Sequence, residues 1–241
     1  MYVSESGKTA KKIISNREQQ LFLSSKINKL SLSIKDTHLE ACISQLYQEL
    51  QRAGITFKPK TYLSDEWGCP NKVPIIGIPF YLASPKLSYI IGQLTNIEIS
   101  SDEEIMMLLR HEAGHTVNYA YHLYRKPKWN LLFGKFSQPY KSNYTPIPFS
   151  TEFVSHVSGW YAQRHPDDDF AETFAVWLTP NSKWKQQYAN TPALAKLFYV
   201  DQMIQKYGQQ PPDITDGKLD KPIQKITLTL DEWIKKRKST T

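Results

Sequence analysis

At 241 residues, 40% of them hydrophobic, the chain is long enough to bury one substantial core, and no apolar run approaches the ~18 residues that would suggest a membrane span. Two cysteines, Cys42 and Cys69, exclude a disulfide framework or a cysteine-rich metal ribbon, and no apolar leader follows Met1, so a reducing, cytoplasmic compartment is the expectation. The formal charge is +7, with basic residues clustered at both ends (Lys8, Lys11 and Lys12; Lys235, Lys236, Arg237 and Lys238); such runs read as solvated tails, and without a nucleic-acid-binding motif beside them nucleic acid is not the expected partner.

Residues 1–35 are polar and weakly patterned and read as an N-terminal arm with a helix around 16–30. Leu39, Cys42, Ile43, Leu46 and Leu50 then make one face of a helix over 36–52, which Gly54 stops. Residues 55–63 and 74–82 read as strands, separated by a turn at Gly68, Cys69, Pro70 and Asn71. Pro79 lacks a backbone donor, which assigns the second strand to a sheet edge. That edge, with Phe80 on it, is where an extended peptide substrate is expected to add as a further strand. Residues 89–92 and 97–100 offer further extended segments.

A helix follows. Ser101 reads as its N-cap, Glu104 closes a capping box, and Asp102, Glu103 and Glu104 complement the helix dipole. Ile105, Leu108, Leu109, Glu112, Thr116 and Tyr119 recur at three- and four-residue spacing until the run stops near Arg125, Lys126 and Pro127. Within it lies His111-Glu112-Ala113-Gly114-His115, the H-E-x-x-H pattern. Residues four apart lie one turn above each other, so His111 and His115 can both aim an imidazole nitrogen at one zinc ion, with Glu112 beside it as a general base for water. His122 sits ~10 Å further along the axis, too far to share that ion.

A catalytic zinc takes three protein ligands and keeps an open position. The metzincin extension is excluded, because Asn118 and Tyr121 stand where it requires glycine and histidine. The leading third ligand is Glu172, the acid inside the apolar stretch of a helix made by Phe170, Phe174, Trp177 and Leu178. Ala171 and Ala175 flank it and leave room for a second helix. Asp167, Asp168 and Asp169 fit an acidic first turn, and Asp168, Asp169 and His156 stay open as alternatives to Glu172.

Between 126 and 160 the chain is rich in Pro, Tyr, Ser and Asn, forming either one wall of a cleft or packing against the core. Residues 184–207 read as a helical tail of the domain, and the alternation over 226–230 as a last strand. The organisation is an arm (1–35), a domain (36–207) and a C-terminal extension (208–241) packed on the domain or partly flexible.

Leu108 to His115, together with Trp160 to Ala175, resembles the bacterial zinc-dependent metallopeptidases of the gluzincin-like type, in which an HExGH helix is completed by the glutamate of a His-Pro-x-Asp/Glu-Asp-Phe-Ala-Glu-Thr segment. Glu66 to Pro70 and Pro79 to Ala83 are similar to such proteins too, and the likeness spans roughly 57–203. It implies His111, His115 and Glu172 as zinc ligands, Glu112 as base, and a reaction class without a particular substrate.

The expectation is therefore an α+β, zincin-like metallopeptidase domain with a small mixed sheet and an HExxH active-site helix, hydrolysing a peptide or protein substrate with zinc as cofactor. Besides the metal, the oxyanion needs a donor, either His165 or Tyr161, the latter also a substrate contact. Two other classes compete: a non-catalytic zinc-binding module, which would have no use for Glu112, and a basic interaction protein with a structural zinc, which would need a fourth ligand. The sequence gives neither peptide specificity nor oligomeric state.

Overall fold

Ser15 caps a first helix, α1 (Asn16–Ser24), its hydroxyl accepting the Glu18 N–H at 3.2 Å. In this computed structural model, which describes residues 14–97, 100–140 and 144–239, α1 ends well before residue 30. The chain instead turns at Ser25 so that Lys26 bridges to Thr229, and Ile27–Lys29 forms a 3₁₀ turn. Lys8, Lys11 and Lys12 lie outside the described residues, as do parts of the 97–100 and 138–149 segments.

The apolar face read from the sequence is the buried face of α2 (His38–Arg52): Leu39, Leu46 and Leu50 are fully enclosed. Two short strands follow, β1 (Lys60–Ser64) and β2 (Ile75–Pro79), paired in parallel from Lys60–Ile75 to Ser64–Pro79. Among the described residues this two-stranded parallel sheet stands where a mixed one was expected.

The outer side of β2 is not open. Gly77 donates to the Gly68 carbonyl at 2.8 Å and accepts the Gly68 N–H at 3.3 Å, so the turn after β1 folds back and uses the edge's backbone groups. Only glycine fits there, since a Cβ on Gly77 would lie 3.0 Å from the Gly68 oxygen. Strand addition by substrate along β2 is thus blocked at its centre. Phe80 is likewise no substrate contact: it leaves β2 in a 3₁₀ turn, is fully buried, and packs edge-on against Trp233 at 5.3 Å.

One segment expected to be extended is helical. Residues 89–92 belong to α3 (Pro85–Leu94), where Ser84 caps, Pro85 occupies the first turn, and Leu87, Ile90 and Ile91 face inward. Over the 226–230 alternation, Leu228 and Ile226 accept the Ile27 and Asn28 N–H groups at 2.9 and 3.0 Å and Thr229 bridges to Lys26, so the stretch pairs in antiparallel fashion with residues 26–28 without becoming a full strand. α9 (Leu230–Lys238) starts at Leu230, where Thr229 and Glu232 close a capping box. Leu230, Trp233 and Ile234 of α9 join the main core, and the helix packs on α1.

The central element is α4 (Asp102–Ala120), in contact with α2, β2 and α6 (Pro166–Leu178). Between α4 and α6 lies the short α5 (Pro127–Phe133). Beyond α6, α7 (Trp184–Gln187) and α8 (Pro192–Tyr207) close a smaller cluster of Val154, Val176, Trp184, Tyr188, Ala193 and Leu197. The result is mixed α+β, mostly helical. Among the described residues no helix is long and apolar enough to cross a membrane.

Arg110, beside His111 on α4, makes a two-pronged pair with Glu49 of α2, Nε and Nη2 each 2.8 Å from a carboxylate oxygen. The Glu49 side chain is 2% exposed, so losing its partner leaves a buried charge. Arg110→Met is expected to cost about 3–5 kcal/mol in urea unfolding, and adding Glu49→Leu should recover much of it. A single-variant loss under ~1 kcal/mol would contradict the assigned role.

Candidate metal centre

The capping box of α4 forms as its residues dictate: Ser101 Oγ accepts the Glu104 N–H at 3.2 Å, and Glu104 Oε2 accepts the Ser101 N–H at 2.7 Å. Two turns later His111 and His115 stand on one face, ring centroids 4.9 Å apart. From His111 to Ala120 every residue of α4 is buried, because other elements surround this half of the helix.

α6 begins with Pro166 in its first turn, and His165 caps it, Nδ1 accepting the Asp167 N–H at 3.1 Å. α4 and α6 cross in direct contact at Gly114. A Cβ there would fall 2.7 Å from Ala171 Cα and 2.9 Å from Ala171 O, so any larger residue forces the helices apart.

The close crossing sets carboxylates of α6 against histidines of α4. His111 Nδ1 meets Glu172 Oε1 at 2.7 Å, and His115 Nδ1 meets Asp167 Oδ2 at 2.9 Å. A carboxylate at each Nδ1 makes that nitrogen the donor and leaves each Nε2 as a lone pair. The two Nε2 atoms face each other at 3.1 Å, and Asp168 Oδ1 lies 3.5 Å from that of His115. Ligand atoms of His111, His115 and Asp168 all fall within 4.8 Å of one another, all three residues buried.

Two imidazole lone pairs and a carboxylate converging in a buried space repel unless a cation joins them. A shared proton is one such cation. Burial alone lowers His115's affinity for it, but the Asp167 charge and hydrogen bond outweigh burial and hold the imidazole well above its ordinary value. Burial likewise raises Asp167, and His115, Tyr119 and Asn118 reverse this, keeping it below the usual carboxylate value. A metal ion is the other cation, and the residues fit it. Asp168 Oδ2 and Glu112 Oε2 are buried with no hydrogen-bond partner among the described residues, and the donor set is two imidazoles and a carboxylate.

Glu172 is brought to this centre but does not join the convergent group. Its Oε1 is on His111, and its Oε2 accepts the N–H groups of His156 and Val157 at 3.1 and 2.9 Å, so it orients His111 instead of offering a free oxygen. Of the alternatives, Asp169 is turned away to Lys196 Nζ at 2.6 Å, and His156 Nε2 donates to the Met107 carbonyl at 3.0 Å. Burial pushes Asp169 up to about 7 even with that lysine.

His165 has no N–H left for an oxyanion. Nδ1 accepts in the cap, Nε2 donates to the Gln138 carbonyl at 2.8 Å, and the ring stacks on Tyr140 at 4.1 Å. Tyr161, by contrast, stands edge-on to His111 at 5.4 Å. Its hydroxyl accepts from Arg164 Nη1 at 2.9 Å and keeps its own proton, its pKa pushed up to about 12 by burial and by the Asp168 charge against Arg164. Glu112 is 5% exposed, and the Cys69 thiol donates to its backbone carbonyl at 3.5 Å.

Asp167 as orienter of His115 and Arg164 as partner of Tyr161 were not legible as site residues. A signal for Asp168 existed: it is four residues before Glu172, on the same face of α6. Comparison with protein-family models, with curated proteins and with solved structures finds no match to this chain.

Asp168→Ala is expected to weaken zinc binding by at least ~100-fold, and Glu172→Gln by only ~10–100-fold, read by competition with a chelating dye. The opposite order would make Glu172 the ligand. In an exposed helix Gly→Ala stabilises by about 1 kcal/mol. Gly114→Ala should instead destabilise by ~1–3 kcal/mol in thermal unfolding and weaken zinc binding in the same assay, because the helices must part. A stabilised variant would refute the close crossing.

Proposed function

We propose that the chain is a zinc-dependent peptide hydrolase of the zincin type, acting on a peptide or protein substrate. One observation carries the reading: a buried glutamate, Glu112, with a carboxylate oxygen unpartnered among the described residues, next in sequence to one of three side chains that converge closely enough to hold a metal ion. A site that only held an ion for stability would take a fourth protein ligand, and three converge among the described residues. The sequence likeness to gluzincin-like metallopeptidases points the same way.

In this reading His111, His115 and Asp168 hold the zinc, which when bound supplies Lewis acidity to a water and to the scissile carbonyl. Glu172 and Asp167 fix the Nδ1–H tautomers, so that both Nε2 lone pairs face the metal position. Glu112 accepts the proton of the attacking water and passes it to the departing amine. The Tyr161 hydroxyl donates its proton in a hydrogen bond to the developing oxyanion. Its acceptor capacity is already used by Arg164, so the hydroxyl hydrogen is directed elsewhere.

Glu112→Gln keeps the shape of the side chain and leaves every ligand untouched, so zinc content should stay at the wild-type level. Hydrolysis of casein or of a peptide library should fall by at least ~10²–10⁴-fold. Tyr161→Phe should lose about 10²-fold in kcat with zinc retained. Wild-type-like turnover by Glu112→Gln, free of contaminating protease, would overturn the mechanism.

A further inference from the structure

Arg164 is a charged residue that the hydrolytic mechanism leaves without a partner of opposite charge. It directly precedes the cap of α6, and no carboxylate lies within ion-pair distance of its guanidinium among the described residues. What holds it is aromatic. Its guanidinium carbon lies 5.7 Å from the Tyr140 ring centre and 5.4 Å from that of Tyr161, and Nη1 donates to the Tyr161 hydroxyl. Tyr140 is fixed in turn by its stack on His165.

The cradle touches the metal centre. Tyr161 bridges them, with its ring on His111 and its hydroxyl on Arg164. Burial alone lowers the guanidinium's pKa, and Tyr161, Asp168 and Tyr140 reverse this, so the group stands above its ordinary value within reach of the Asp168 charge. A half-buried guanidinium held between two rings has its planar fork pre-ordered, and such a fork is the shape that receives a carboxylate through two parallel hydrogen bonds. The remaining N–H donors have no protein acceptor among the described residues.

We propose that Arg164 recognises a carboxylate of the peptide substrate close to the scissile bond, held between Tyr140 and Tyr161. The inference rests on the peptide-hydrolase reading and deepens it by naming the substrate class as peptides with an anionic group near the cleavage point. That anion is either the peptide's own C-terminal carboxylate or an acidic side chain; both offer the same planar group to the fork.

The test is binding by zinc-loaded Glu112→Gln, which separates recognition from turnover. Three fluorescent N-capped tetrapeptides serve as probes: a free acid, its C-terminal amide, and that amide with one glutamate added. Fluorescence polarisation should give about 10- to 100-fold tighter binding for the free acid or the glutamate amide than for the neutral amide. Which of the two gains identifies the source of the anion. Adding Arg164→Met should remove that preference, and Arg164→Lys should restore it only in part, with zinc content and thermal unfolding unchanged. Equal affinity for all three peptides, or a preference that survives Arg164→Met, overturns the role of Arg164 and leaves the hydrolase reading standing. Failure of every peptide to bind overturns both.

Discussion

α4 and α6 meet through the same spacing on each side. On α4 the sequence His111, Gly114, His115, Asn118 runs at i, i+3, i+4, i+7, and on α6 the sequence Asp168, Ala171, Glu172, Ala175 does the same. In each stripe the second position is a small residue, and these two positions touch, with no room for a Cβ on Gly114. The polar residues that flank this contact are thereby pressed together. Replacing the small residues by ordinary core side chains would set the helix axes at a usual 8–10 Å packing distance, and hydrogen bonds of 2.7 and 2.9 Å between histidines and carboxylates would be out of reach.

Close packing of this kind buries charge, and its distribution is uneven. Asp167, Asp168, Asp169, Glu172 and Glu112 are all buried. Asp169 has Lys196; Asp167 has His115, Asn118 and Tyr119; Glu172 has His111 and two backbone N–H groups. Asp168 and Glu112 each keep an oxygen without a partner among the described residues. Asp169 shares that feature, but its lysine stands on the other side of α6, in the direction of α8. A buried carboxylate without compensation is costly, so Asp168, whose other oxygen lies 3.5 Å from His115 Nε2, marks where a cation relieves electrostatic strain.

The part of this that is local in sequence was readable. The capping box at Ser101 and Glu104, the three- and four-residue recurrence through Tyr119, and the HExxH pattern each depend on residues within one helix. Choosing among the acids of α6 was harder, because an aspartate in a first turn looks the same whether it complements the dipole or faces an ion. The helix at 85–94 was obscured by a short apolar run that fits a strand equally well, although Ser84-Pro85 was a start signal, and Thr229-x-x-Glu232 marked where the 226–230 alternation stops and a helix begins. The use of the β2 edge by Gly68, and of His165 Nε2 by Gln138, depends on segments brought together only by the fold.

The helix crossing and the segment that carries Tyr161 and Arg164 are made of different material. The convergent side chains and the carboxylates that orient them sit on two helices locked by a backbone-close crossing, where a small displacement costs packing at once. Residues 144–160 form no helix or strand, yet they are pinned at particular points: Gln163 clamps both backbone groups of Ile147 at 2.8 Å, the Tyr144 hydroxyl donates to the Gly159 carbonyl at 3.0 Å, and Phe149 packs on Trp160 at 5.1 Å. Phe149 and Trp160 both hold φ near +60°, a conformation that bulky residues reach only with strain. Phe149 and Ile147 are exposed on the segment that leads to Tyr161 and Arg164. A segment built this way can accept loop substitutions while the helix crossing, and with it the convergence of His111, His115 and Asp168, stays fixed.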